Sequence, residues 1–252
     1  MTICIAAIGK LNNEEIIVFA TDHMITTPNG QFEHSIAKYK ELNGKNAAML
    51  AGAALLFDEL VNTESVIIPN IKKDIFENFK KKRLEVIQNE ILNVYRIDQD
   101  FLIESLKNQI PNQFINTMLE KISSFNLNTQ ILLVGFENGI SHITEINESG
   151  IFDFRDINFH TIGTGSVQAS NTLLFQKHSK EDNLETTVYN VYKAKRNAEV
   201  MPGVGKEMDL LILTKKGIIK LGNEKIKILQ DIYQKELEFG KTNQKLKDLK
   251  II

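Results

Sequence analysis

The 252 residues are enough for one large domain, and an apolar share of 42% with 25% charged residues is that of an ordinary globular protein. With 30 basic against 32 acidic side chains the formal charge is −2, which gives no electrostatic reason to expect nucleic acid or an anionic membrane as partner. A single cysteine, Cys4, excludes an internal disulfide, and its apolar surroundings read as a buried structural thiol in a reducing compartment.

The five histidines, His23, His34, His142, His160 and His178, lack the short helical spacing of a zinc site, so no metal and no cofactor are assigned. No basic n-region opens the chain and no apolar run approaches the length of a membrane span, so a cytoplasmic location is expected.

In chain order, residues 2–9 and 15–21 are β-branched apolar runs joined through KLNNEE, a hairpin pattern. TTPNG at 26–30 is turn chemistry. HSIAKYKEL and NAAMLAG read as two more strands about Asn43-Gly44, so the first third is predicted to be a β meander. At Gly52 the period changes, with Ala53, Leu56, Phe57 and Leu60 at helical spacing. Residues 70–124 read as a helical insertion. Ile75, Phe79 and Leu84, then Val86, Ile87 and Ile91, give one long apolar face, and Pro111 breaks the region into at least two helices. NFKKKR at 78–83 reads as a solvated helix face.

Strands return in TQILLVGFE and ISHITEINES about Asn138-Gly139, and again in NFHTIGTGS. Helices are expected over about 167–178 and 184–200, the second capped by Asp182 or Asn183. KEMDLLILTKKGIIKLG is a hairpin. Residues 223–248 form a last helix with Ile226, Leu229, Tyr233 and Leu237 on its apolar face. Blocks of strands and helices without a linker point to an α+β domain over 1–252, with two antiparallel sheets between helical layers.

Four residues of the first third carry a chemistry together: Thr2, Asp22, Lys38 and Gly52. If Met1 is removed, Thr2 holds a hydroxyl and a free amine whose unperturbed pKa is about 7.7–8.0. That amine can take the hydroxyl proton, making one residue nucleophile and base. A lysine ammonium nearby lowers the amine's pKa by like-charge repulsion, and an aspartate holds the lysine in place. A Gly52 N–H at a strand-to-helix turn can donate to an oxyanion. GTGS at 163–166 precedes a helix but lacks the lysine and third glycine of a phosphate loop.

These residues resemble the proteasome-type N-terminal-nucleophile (Ntn) hydrolases, a group that includes proteasome β subunits and simpler bacterial relatives. The resemblance rests on the opening Thr2, the D-x-x-x-T run from Asp22 to Thr26, Lys38 in AKYKELN, and Ala51-Gly52 in the family's A-G turn. LLVGFENGISHITEINESG resembles its central hairpin, and Gly163-Thr164-Gly165 its G-S-G turn, with Thr164 keeping the hydroxyl that supports the threonine amine. The family's distal aspartate falls on Asn197 in KRNAEV, and MPGVGKEMD replaces a short S-G-G turn. Asp209 is a candidate to compensate for the lost charge.

The resemblance implies a four-layer αββα sandwich, the Ntn hydrolase fold, and a threonine endopeptidase acting on peptides or unfolded proteins. It also implies a homo-oligomeric ring, served by any ATP-dependent unfoldase as a separate protein. Two other classes share these residues. A non-catalytic structural subunit would retain Met1, and an Ntn amidase would act on a small-molecule amide.

Overall fold

The computed structural model describes residues 2–27, 30–107 and 113–242. β1 (Ile3–Leu11) folds back on β2 (Glu14–Asp22) through Asn12 and Asn13, both at positive φ. Asparagine enters that region more readily than other L residues, and two such angles in a row match the twist of a tight hairpin. A short pair, β3 (Met24–Thr27) and β4 (Gly30–Glu33), comes next, then β5 (Tyr39–Glu41) and β6 (Asn46–Ala51).

After a 3₁₀ turn come the four-residue α1 (Phe57–Leu60) and α2 (Ile68–Val86). α2 has Pro69 in its first turn, where no intrahelical donor is needed. A π-helical turn (Ile87–Leu92) separates it from α3 (Gln99–Lys107) and α4 (Gln113–Ser124). β7 (Gln130–Glu137) and β8 (Ile140–Asn147) meet at Asn138-Gly139, again both at positive φ. β9 (Gly150–Asp153), β10 (Phe159–Gly163), α5 (Ser166–Phe175) and α6 (Leu184–Ala198) follow. Asn183 is the cap of α6, its side chain accepting from Thr186 N at 2.9 Å. β11 (Met208–Thr214), β12 (Gly217–Lys220) and α7 (Asn223–Thr242) complete the described chain.

The fold is mixed α+β with antiparallel sheets. One sheet has the order β10-β1-β2-β11-β12 and the other β5-β6-β7-β8-β9, while β3 pairs with β4. The expected single meander is therefore corrected: the chain leaves the first sheet at Asp22 and enters the second at Tyr39. Both faces of β1 and β2 are buried, so their side chains alternate between two cores. Cys4, Ala6, Ile8, Ile17 and Phe19 share a cluster with Met49, Leu132 and Val134 of the other sheet. Ile3, Ile5, Val18 and Ala20 cluster with Leu173 of α5, Val191 and Tyr192 of α6 and Leu229 of α7. On the second sheet Leu50, Ile131, Leu133 and Ile146 cluster with Ile71, Ile75 and Phe79 of α2. Burying one such large side chain contributes about 1.5–3 kcal/mol.

The helical region divides differently from the sequence expectation. α2 packs on the second sheet, whereas Ile87, Leu92, Leu102, Ile115 and Met118 form a small core of their own. The π-helical turn shifts the phase between the two, and Leu84, expected on a continuous apolar face, is 54% exposed. In the NFKKKR stretch Phe79 is buried, and Arg83 donates to Ile122 O and Phe125 O. On α7, Ile226, Leu229 and Tyr233 pack inward but Leu237 is exposed. The Pro111 break, the turn at Pro28-Asn29 and residues 243–248 of the last helix lie outside the described residues. Among the described residues no helix is long and apolar enough to cross a membrane.

Candidate active site

Thr2 lies immediately before β1, between two strands that fix it. On one side Ile3 pairs with Gly163 of β10. A Cβ on Gly163 would lie 2.4 Å from Thr2 O, and its φ of 94° is one that side chains rarely adopt, so glycine is required there. On the other side the β1–β2 register pairs Cys4 with Thr21, which sets Asp22 beside the start of the chain. Ile3 N donates to Asp22 Oδ1 at 3.2 Å. Lys38 comes from the segment that leads into the second sheet. Its carbonyl accepts from Leu50 N just before β5, and its Nζ reaches Asp22 Oδ1 at 2.8 Å.

The three side chains meet directly. The Thr2 hydroxyl donates to Asp22 Oδ1 and accepts from Lys38 Nζ. Asp22 is 0%, Thr2 2% and Lys38 8% exposed, so these charges are compensated by one another rather than by water. Asp22 has further support, because Gly205 N donates to its Oδ2 at 2.8 Å. A buried carboxylate with an ammonium and several donors is the arrangement in which an ion pair holds its geometry.

Ala51, Gly52, Asn128, Gln130, Gly163 and Thr164 line with Thr2 a cleft of about 290 Å³. Gly52, at φ 124°, sits where an added Cβ would come within 2.3 Å of Asn128 O. Asn128 and Gln130, which precede and open β7, were not anticipated from the sequence. Gln130 Oε1 accepts from Gly163 N at 3.3 Å, and its Nε2 donates to Glu145 Oε1 at 2.8 Å. Glu145 Oε2 lies 2.6 Å from His160 Nε2, and Asn147 Nδ2 donates to Glu145 Oε1.

The His160 hydrogen bond, foremost among its partners, holds the Glu145 carboxyl below the ordinary glutamate range. A carboxylate depressed on folding stabilises the protein above its unfolded pKa, and that contribution is lost as pH falls through the folded value. Glu145→Gln is thus expected to cost about 1–3 kcal/mol near pH 7, the range for a hydrogen bond to a charged group and its orphaned partners. The gap to wild type is expected to close as pH falls below about 4, as read by urea unfolding at each pH.

Of the six residues singled out in the sequence, Thr2, Asp22 and Lys38 are in mutual contact, and Gly52 and Thr164 share their cleft. The side chain of Asn197 is turned elsewhere: its Nδ2 donates to Thr172 Oγ1 at 3.0 Å and its Oδ1 accepts from Tyr233 OH at 2.7 Å. This corrects its placement at the threonine; both ends of the amide join α5, α6 and α7. Asp209 does not replace it, since its carboxylate faces His23 Nε2 at 3.0 Å and Lys220 Nζ at 2.5 Å.

Lys195 was missed. It is fully buried and donates to Gly205 O, Lys206 O and Glu199 Oε1 at 2.8, 2.6 and 2.5 Å. Burial pushes its pKa down, with the Glu199 carboxylate opposing. Its position was a signal, because Val188, Val191, Tyr192, Lys195 and Ala198 follow the helical repeat of one face, all of them buried.

The chain matches no protein-family model and no curated protein. The chemistry therefore rests on the arrangement itself. An ammonium against Thr2 Oγ1 stabilises negative charge on that oxygen, and Asp22 fixes the ammonium. The Thr2 nitrogen becomes a base only when it is an amine, since the amide formed with Met1 has no basic lone pair.

Proposed function

We propose that the protein is an N-terminal-threonine hydrolase that cleaves peptide bonds after release of Met1, on a four-layer sandwich of the proteasome type. The contact of a buried Thr2 Oγ1 with both Lys38 Nζ and Asp22 Oδ1, at the edge of a cleft, carries this reading. The clusters joining helices to the outer face of each sheet support the four-layer description.

In the reaction, Thr2 Oγ attacks the carbonyl carbon, and its proton passes to the Thr2 amine directly or through one water. The C–N bond breaks as that proton moves to the leaving amine, leaving an ester on Thr2. Water then adds to the ester, gives a proton to the Thr2 oxygen by way of the same amine, and releases the acid. Lys38 stays an ammonium beside Oγ throughout, and Gly52 N–H is assigned to the oxyanion. A ring of identical subunits is part of the same proposal, and the native mass in solution tests it.

Intact mass of cell-made protein is expected to lack the methionine and to gain one adduct from a peptide vinyl sulfone. Thr2→Ala is expected to abolish the adduct. A full mass with no adduct on the wild-type protein overturns the proposal in favour of a non-catalytic subunit.

A further inference from the structure

Among the described residues the Asp22 carboxylate has one hydrogen-bond partner outside the Thr2, Ile3 and Lys38 group: Gly205 N–H, on the loop between α6 and β11. The polar groups of that loop divide between two anchors. From inside, Lys195 Nζ donates to Gly205 O at 2.8 Å and Lys206 O at 2.6 Å. From outside, Oε1 of Glu33, the last residue of β4, accepts from Lys206 N and from Glu207 N, the latter at 2.9 Å.

These contacts fall on two consecutive peptide units. In the unit joining residues 205 and 206 the C=O is on Lys195 and the N–H on Glu33; the unit joining 206 and 207 is held the same way. Because a trans peptide is planar, gripping both of its ends fixes its orientation. Two fixed planes in succession leave little freedom to the Gly205 N–H that precedes them. The fit is also close, since a Cβ on Gly205 would lie 2.6 Å from Glu33 Oε1 and 3.1 Å from Met24 N. An apolar side chain at position 195 would fill the same space but take the Lys195 donor from Gly205 O and leave Lys206 O to the longer bond from Arg196 Nη1 at 3.5 Å.

We propose that Lys195 and Glu33 are positioning residues of the threonine site: they clamp the 205–207 loop so that Gly205 N–H fixes the Asp22 carboxylate, and through it Lys38 Nζ and the Thr2 hydroxyl. The proposal rests on the hydrolase reading above. When the clamp opens, Oδ2 loses its fixed donor, the carboxylate turns, and Lys38 leaves its place beside Oγ1.

The test is the rate at which processed, full-length protein is labelled by a peptide vinyl sulfone, separated into a limiting rate and a half-saturating concentration. Glu33 is exposed, so Glu33→Ala is expected to fold with a near-wild-type melting temperature. Its limiting rate is expected to fall about tenfold, with half-saturation unchanged, as for a misplacement of well under 1 Å. Glu33→Gln keeps an acceptor oxygen and is expected to recover most of the rate, which a general loss of stability does not predict. Lys195→Met is expected to fall by about a hundredfold. If that variant fails to fold, the Glu33 pair decides. A labelled wild type with an unchanged Glu33→Ala rate overturns the clamp and leaves the hydrolase proposal standing. A wild type lacking Met1 that does not label overturns both.

Discussion

Asp22→Ala is expected to lose about 3–5 kcal/mol of unfolding free energy, the cost of leaving a buried charge without its counter-ion. Among the described residues Lys38 Nζ has two hydrogen-bond partners, Asp22 Oδ1 and Thr2 Oγ1, and of these the substitution leaves the neutral hydroxyl. At 8% exposure the ammonium has little water to replace what is lost. The change also orphans Ile3 N–H and Gly205 N–H, which both bond the same carboxylate. Urea unfolding at pH 7 reads the loss as a lower midpoint at constant slope. Asp22→Asn keeps two acceptor sites on its one oxygen and is expected to fall between wild type and alanine.

Lys38→Met is expected to remove the activity at a smaller cost in stability than Asp22→Ala. Methionine matches the apolar stem of lysine in length and has no charge to bury. Asp22 then loses its counter-ion but retains Thr2 OH, Ile3 N–H and Gly205 N–H as donors, which offset part of the cost of its buried charge. What disappears is the one cation against Oγ1 among the described residues. Removing a preorganised charge from a reacting oxygen costs about 10²–10³ in rate. Vinyl sulfone labelling and peptide hydrolysis are both expected to fall by that factor while the melting temperature falls by less than in Asp22→Ala. A Lys38→Met protein that labels at the wild-type rate removes the lysine from the mechanism.

The contrast between these two variants follows from what each residue touches, and most of that was legible in the chain. The Asn12-Asn13 and Asn138-Gly139 hairpins were readable because turn chemistry is local. Thr2, Asp22 and Lys38 were readable because a nucleophile, a cation and its counter-ion form a set that chemistry recognises. The division of the first third between two sheets was not readable. Strand periodicity says that a face is buried, not which sheet buries it, and both faces of β1 and β2 are buried. Gln130 escaped notice because its role depends on β7 and β10 approaching each other, which no short-range pattern encodes. Asn197 was assigned by its place along a motif, and a helix can present such a residue to Tyr233 on a neighbouring helix instead. Lys195 is the reverse case: its periodicity marked it as interior, and its charge argued for the surface.

Cys4 adds one consequence. Its side chain lies between the two sheets, fully buried, with Sγ 3.4 Å from Leu50 O, and burial drives its thiol far above the ordinary range, the Asp22 charge adding to the effect. Thiolate is the form that reacts, so the sole sulfhydryl of the sequence is silent toward soft reagents while the protein stays folded. Alkylation at Cys4 thus becomes a gauge of opening between the sheets, and a vinyl sulfone adduct on the intact native molecule leads back to a nucleophile other than this thiol.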